Sequence, residues 1–371
     1  MRVMYLTNIP SPYRVAFWEV LGTQCDLTVV FEDTNEKDRY WEVAPGKNFK
    51  SVFLDGFSVA TQYHINFGIV KLIKQYKYDV IVISGYNSPT DMRAINYLSR
   101  NNIPFIFSAD GGFPKRDENP FMKEMKHHFL TVSTLNMSSG TMCDKYYKSY
   151  GVAEEAIRRF NFSSVSKYDL EAPISLPARI NTLKKKYGLK EKVVIGVGQF
   201  IPRKGFDILL DAWGHVNLKD TSLILVSGGP DEKLYKSMIA EGELQNVVLH
   251  GFMPKAKLFE LYRISDLFVF PTRYDIWGLT LGEAMACGLP VISSPNAAAA
   301  HDLVQDGENG YIESLQSPVS WARRIEELIN DEAKCRKFGK KSLDIMSSYT
   351  IEHMVDDYMA AFKELVFKGA R

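Results

Sequence analysis

Asp275, Gly278 and Glu283 stand close together in the stretch Phe268 to Ile292, which reads FVFPTRYDIWGLTLGEAMACGLPVI. An apolar run ends at Pro271, and a polar loop carries Asp275. Gly278 opens a short helical stretch containing Glu283, and Gly288 and Pro290 close it before a second apolar run. This is the pattern of a parallel α/β unit. Free backbone N–H groups at such a helix start attract phosphate oxygens, and glycine lets a ligand approach the backbone closely. Glu283 lies about one helical turn inside, so two carboxylates flank an anion site. Carboxylates repel phosphate but accept hydroxyl groups. An anion site between two hydroxyl acceptors suits a nucleotide sugar.

A second segment points the same way. Val197-Gly198-Gln199-Phe200-Ile201-Pro202-Arg203-Lys204-Gly205 follows an apolar run and precedes the helical pattern Phe206–Trp213. A loop at the C-terminal edge of a parallel strand is where such sheets bind ligands. Lys204 supplies a compact charge for phosphate, and Arg203 supplies a planar fork of donors.

Glu283-Ala284-Met285-Ala286-Cys287-Gly288-Leu289-Pro290-Val291-Ile292 resembles the C-terminal signature of family four retaining glycosyltransferases, which have the GT-B fold. The resemblance implies an α/β protein of two doubly wound, Rossmann-like domains facing a central cleft. It implies that Asp275, where the family usually has Glu, holds hydroxyls of the transferred sugar. Trp277, Gly278, Leu279 and Thr280 would offer backbone N–H groups to sugar and pyrophosphate, and Glu283 would bind the ribose. Lys204 matches the family's diphosphate-gripping lysine. Gln199 stands where a second gripping residue, an Arg, is usual, and Arg203 is the candidate to compensate. Ser227-Gly228-Gly229-Pro230 resembles the family's Gly-x-Gly-Pro turn. The run His250 to Pro254, with Phe252 and Met253, resembles its loop under the nucleotide base. In the first half, Asp110 precedes Gly111-Gly112 where relatives place a His, and it is the candidate acid of that half. Arg14, in NIPSPYR after the first apolar run, is the candidate to neutralise a donor or acceptor phosphate.

The elements that must position these residues are legible as two series. Apolar runs at Val3–Leu6, Leu27–Phe31, Val80–Ile83 and Pro104–Phe107 alternate with helical patterns. Ser88-Pro89 and Asn119-Pro120 read as N-caps with Pro at the first helical position. A second series runs through Val193–Val197, Leu223–Val226, Val247–Leu249, Leu267–Phe270 and Pro290–Ile292, and helices dominate from Ser317. Strands alternating with helices imply parallel sheets covered on both faces. Met354, Tyr358, Phe362 and Val366 recur at helical spacing, so Thr350–Phe367 reads as a helix returning to the first domain. The expected division is 1–165 with 350–371 for the acceptor and 166–349 for the donor.

The chain has 371 residues, enough for about two domains. A net charge of +1 excludes the broad basic field of a nucleic-acid binder. Four scattered cysteines form no metal-binding spacing and fit a reducing, cytoplasmic setting. The N-terminus lacks a signal-peptide pattern, and no run is long and apolar enough to span a bilayer. Peripheral contact at the inner face of a membrane stays compatible. There is no Gly-x-Ser-x-Gly, HExxH, P-loop or GxGxxG motif and no Asp-x-Asp clamp, so diphosphate binding without metal or cofactor is expected. His127 and His128 read as structural.

The expected activity is hexosyl transfer with retention, from a nucleotide-diphosphate sugar to a glycan or lipid-linked oligosaccharide. The SPYR, DGG and IPRKGF runs resemble those of family members of the bacterial surface-polysaccharide type, which implies a role in polysaccharide biosynthesis. Two other readings stay open: a GT-B phosphorylase or nucleotide-sugar epimerase, and a nucleotide-sugar-binding module without catalysis.

Overall fold

The structure, a computed structural model, describes residues 1–34, 46–60, 63–115, 117–171 and 177–369. The chain forms two compact units, one of Met1–Ser164 with Thr350–Arg371 and the other of Val165–Tyr349.

Unit 1 contains β1 (Arg2–Thr7), α1 (Pro12–Leu21), β2 (Asp26–Phe31), β3 (Lys50–Phe53), β4 (Gly56–Ala60), β5 (Tyr63–Asn66), α2 (Ile69–Gln75) and β6 (Val80–Ile83). It continues with α3 (Pro89–Arg100), β7 (Ile106–Ala109), α4 (Pro120–Thr131), β8 (Leu135–Ser138), α5 (Thr141–Ser149) and β9 (Ile157–Arg159). Seven strands form one parallel sheet in the order β3-β2-β1-β6-β7-β8-β9, and β4 and β5 form a separate antiparallel ribbon. Residues 80–83 are buried throughout, as a strand covered on both faces requires. The two helix starts are capped as their sequences dictate. Ser88 Oγ accepts from Asp91 N at 2.9 Å, and Asn119 Oδ1 accepts from Phe121 N at 2.9 Å.

Unit 2 contains α6 (Lys167–Glu171), α7 (Pro177–Lys186), β10 (Lys192–Val197), α8 (Phe206–Gly214), β11 (Thr221–Val226), α9 (Glu232–Glu241), β12 (Val247–His250) and α10 (Lys255–Ile264). Then follow β13 (Leu267–Phe270), α11 (Leu279–Ala286), β14 (Val291–Ser293), α12 (Ala300–Leu303), β15 (Gly310–Ile312), α13 (Pro318–Asn330) and α14 (Glu332–Met346). Its six parallel strands run in the order β12-β11-β10-β13-β14-β15. The order reverses between β10 and β13, which pair through Val194 with Leu267 and Ile195 with Phe268.

The last helix, α15 (Ile351–Gly369), belongs to unit 1. Met354, Tyr358 and Phe362 are fully buried, whereas Val366 is 42% exposed, so the apolar stripe ends one turn earlier than its spacing suggests. Tyr358 packs on Phe17 of α1 with ring centroids 4.8 Å apart, and its hydroxyl lies 2.6 Å from Ser108 Oγ. Arg158 grips Glu364 through two bonds of 2.7 and 2.6 Å.

Candidate functional site

Open parallel sheets bind ligands beyond the carboxyl ends of their strands, where the strand order reverses. In unit 2 that point lies between β10 and β13. Lys204 stands on the loop after β10 and Asp275 on the loop after β13. Lys204 Nζ donates to Asp275 Oδ2 at 2.5 Å, and Arg203 Nη1 lies 3.6 Å from the same oxygen. Two cations thus converge on one carboxylate.

Backbone bonds set this cluster. Gly205 is left-handed at φ 70°, and a Cβ there would sit 2.0 Å from the Pro271 carbonyl, so only glycine lets the two loops touch. Thr272 Oγ1 donates to the Arg203 carbonyl at 3.0 Å, and Ser294 Oγ donates to the Thr272 carbonyl at 2.6 Å. Arg273 forks onto Asp207 of α8 at 2.7 and 2.6 Å. On the other side, Asp275 N donates to the Asn296 carbonyl and Ala298 N donates to the Asp275 carbonyl, each at 3.0 Å. Thr272, Ser294 and the buried Ala297–Ala300 run position the site and were missed in the sequence. Their signal is a small-residue run just after a strand, which sequence alone does not separate from a loop.

Lys204 is largely buried against the face of Phe270, with Nζ 5.2 Å from the ring centroid. Burial lowers its pKa below the usual lysine range, against the opposing pull of Asp275. Arg203 keeps a solvent-facing guanidinium and also donates to the Tyr274 carbonyl at 2.7 Å.

The Asp275 loop leads into α11. Its N-cap, Gly278, is left-handed at φ 104° and brings no side-chain cap. The first N–H groups of the helix therefore lack a capping side chain of their own. A Cβ on Gly278 would meet the Phe270 ring at 2.8 Å. Asp275 Oδ1 accepts from Trp277 N at 3.3 Å, which fixes the carboxylate beside the helix start. Thr280, second in the helix, has a buried hydroxyl with no hydrogen-bond partner among the described residues. Such an orphan at an uncapped helix start fits an anionic ligand. Glu283 stands on the same helix, and the fully buried Tyr262 donates to its Oε2 at 3.4 Å.

The remaining candidates divide. Gln199 is exposed on the β10 loop, Phe252 is 70% exposed and Met253 is buried. Asp110 and Arg14 lie in unit 1. Arg14 was expected on the loop after the first strand, to neutralise a donor or acceptor phosphate or to sit in a surface salt bridge. It is instead the third residue of α1, 4% exposed, and it pairs with Asp110 and donates to Tyr5 Oη at 2.7 Å. Pro12 starts the helix at once after the short turn, which turns Arg14 inward. Tyr13 Oη donates to Asp110 Oδ2 at 2.7 Å, so this carboxylate is held from two sides. His127 and His128 cap structure, bonding the Tyr150 carbonyl at 2.7 Å and Asn96 Oδ1 at 3.0 Å.

HepE of Anabaena, solved in complex with UDP, superposes with a TM-score of 0.81 over 98% of this chain and 100% of its own, at 16% identity. The sucrose-phosphate synthase of Thermosynechococcus elongatus gives a TM-score of 0.77 over 98% and 99% at 16% identity. These likenesses give the fold, GT-B with two Rossmann-like domains. In sequence, the D-inositol 3-phosphate glycosyltransferase of Segniliparus rotundus is 29% identical over 187 residues, 48% of this chain and 41% of that protein. The N-acetyl-alpha-D-glucosaminyl L-malate synthase of Bacillus anthracis is 26% identical over 189 residues, 50% and 49% of the two. The chain spans about half the length of the curated relatives it matches. Residues 180–344, which hold Lys204, Asp275 and Glu283, match the family model described as glycosyl transferases group 1.

Proposed function

We propose that this chain is a retaining glycosyltransferase that moves a hexose from a nucleoside-diphosphate sugar to a hydroxyl acceptor. The observation that carries the reading is the meeting of Lys204, Arg203 and Asp275 at the strand-order reversal, beside the uncapped start of α11. The group 1 match over the same segment and the complexes of HepE with UDP and UDP-glucose support it.

In this reading unit 2 holds the donor. Lys204, Arg203 and the N–H groups of Leu279 and Thr280 neutralise the diphosphate, and these charges call on no metal. Asp275 exchanges part of its pairing with Lys204 for sugar hydroxyls. Glu283 takes the ribose hydroxyls, and the loop with Phe252 and Met253 lies under the base. As the bond from anomeric carbon to diphosphate oxygen breaks, positive charge grows on the sugar and negative charge on the leaving group. Fixed donors aimed at that leaving group lower the barrier, each by roughly 2–4 kcal/mol. The acceptor oxygen bonds the anomeric carbon on the face the diphosphate leaves. Its proton passes to a diphosphate oxygen, so configuration is retained.

Unit 1 takes the acceptor, a glycan or lipid-linked oligosaccharide in polysaccharide assembly, in the cytoplasm at the inner membrane face. Asp110 is its candidate acid.

The test is turnover of UDP-, GDP- and dTDP-sugars with a panel of hydroxyl acceptors, reading the anomeric configuration of the product by NMR. Retained configuration with transfer supports the proposal. Tight nucleotide binding without turnover on the whole panel turns it to the binding-module reading.

A further inference from the structure

Unit 1 exposes three phenylalanines on one surface. Phe53, Phe57 and Phe67 are 48%, 56% and 63% exposed. They line one open groove of about 710 Å³ with Leu54, Lys71 and Leu72. Large apolar side chains gathered in this way mark an interaction surface rather than ordinary surface scatter.

The surface is built rather than frayed. Phe53 ends the edge strand β3 and stacks on Phe31 of the sheet, with ring centroids 5.0 Å apart. Phe57 lies on the β4–β5 ribbon and contacts the ring of Phe67 at 6.3 Å. The ribbon's root is pinned by Asn66, whose Nδ2 donates to the Glu32 and Leu54 carbonyls at 3.0 and 3.1 Å. Asn66 N also donates to Thr90 Oγ1 at 2.9 Å. The ribbon therefore holds its aromatic rings outward from a fixed base.

Charge selects the occupant. Residues 46–79 carry five lysines, Lys47, Lys50, Lys71, Lys74 and Lys77, against two acids, Asp55 and Asp79, in a chain whose net charge is only +1. The Asp79 carboxylate is engaged by Arg2 N at 2.7 Å. Lys71, Lys74 and Lys77 are all exposed. All these cations are lysines, which act as mobile point charges without the geometric selectivity of an arginine fork. Protruding aromatics with Lys71 in their groove, and with Lys74 and Lys77 exposed further along the chain, match an anionic bilayer, which takes rings into its interface and attracts lysines near its surface.

We infer that this face of unit 1, formed by Phe53, Phe57, Phe67 and the lysines of the α2 region, docks the protein on an anionic membrane surface. It deepens the proposed function by placing a lipid-linked acceptor at the unit assigned to it. The donor pocket plays no part in the docking.

The experiment is cosedimentation of the full chain with vesicles of phosphatidylglycerol and phosphatidylcholine in equal parts, and with pure phosphatidylcholine, without any nucleotide sugar. Binding should be at least tenfold tighter to the anionic vesicles and should weaken with salt. The Phe57→Ser/Phe67→Ser variant should bind at least tenfold more weakly. The Lys71→Gln/Lys74→Gln/Lys77→Gln variant should lose roughly a hundredfold, from about fivefold per lysine. Near-ultraviolet circular dichroism checks that both variants keep their packing. Equal binding to both vesicles, or variants that bind like the parent, overturns the inference. So does lipid-free self-association that the phenylalanine variant abolishes, since the occupant is then a second copy. Because no donor is present, failure here leaves the transferase reading standing, and failure of turnover leaves docking standing.

Discussion

Lys204 and Asp275 are separated by 71 positions in the chain yet meet at 2.5 Å, with both side chains nearly buried. One residue follows the first strand of the unit 2 sheet and the other follows the strand beside it, so the parallel register brings them together.

Lys204→Ala should lower turnover by roughly 10²–10³-fold, the usual loss when one preorganised donor is removed from a leaving group. It should also cost about 3 kcal/mol of stability, because Asp275 stays buried beside a single remaining cation, Arg203. Lys204→Met with Asp275→Asn should recover most of the stability and none of the activity. Steady-state kinetics and urea unfolding of the three proteins check this. Full activity in Lys204→Ala would remove the residue from the mechanism.

Gly278→Ala should destabilise unit 2 by about 2 kcal/mol and weaken nucleoside-diphosphate binding. The backbone there is left-handed, and the new methyl would press on the Phe270 ring that supports Lys204. Thermal unfolding with and without UDP reads both effects. A variant that matches the parent in each would show that the helix start tolerates a side chain.

A pH dependence follows from Glu32 and Asp91 in unit 1. Both are buried beside Ser88, which donates to Glu32 Oε1 at 2.6 Å and accepts from Asp91 N at 2.9 Å, and among the described residues neither carboxylate has an ion-pair partner. Burial first, and then the neighbouring Asp91 carboxylate, raise the Glu32 pKa far above the usual carboxylate range. The folded state therefore keeps a proton that the unfolded chain releases. The stabilisation is complete below the ordinary carboxylate pKa and fades as pH rises towards the raised value. Glu32→Gln supplies a permanent N–H donor in its place. The parent should lose stability relative to this variant by up to about 1.4 kcal/mol per pH unit across that window. Urea unfolding at several pH values tests this, and parallel stability curves for the two proteins would refute it.

Tyr358→Ala should cost about 3–5 kcal/mol, as for other large buried aromatics. Its ring packs on Phe17 and Phe160, and its hydroxyl meets Ser108. The loss should fall on the unfolding of unit 1 and leave UDP binding to unit 2 intact. Weakened UDP binding at unchanged stability of unit 1 would contradict this.

Much of the fold was legible because buried parallel strands read as apolar runs. Leu267–Phe270 and Val80–Ile83 form strands at the expected residues, and Ser88 and Asn119 cap the expected helices. The strand expected from Pro104 begins at Ile106, consistent with proline having no N–H to donate. Strands β3, β4, β5, β8, β9 and β15 were not legible. They are short, and Leu135-Asn136-Met137-Ser138 mixes polar with apolar residues although all four are buried. For the candidate site, the loops bearing Lys204 and Asp275 were legible from motif and spacing. The inward turn of Arg14 and the bracing by Thr272 and Ser294 were not, because both depend on tertiary neighbours far away in sequence.

In the proposed function the Lys204–Asp275 cluster beside the start of α11 grips a nucleoside diphosphate. Isothermal titration calorimetry with UDP, GDP and dTDP, on the parent, Lys204→Ala and Glu283→Ala, tests it most directly. At least one nucleotide should bind the parent, and each variant should bind it at least tenfold more weakly while remaining folded. Parent-like affinity in both variants, or no binding of any of the three to the parent, would contradict the account.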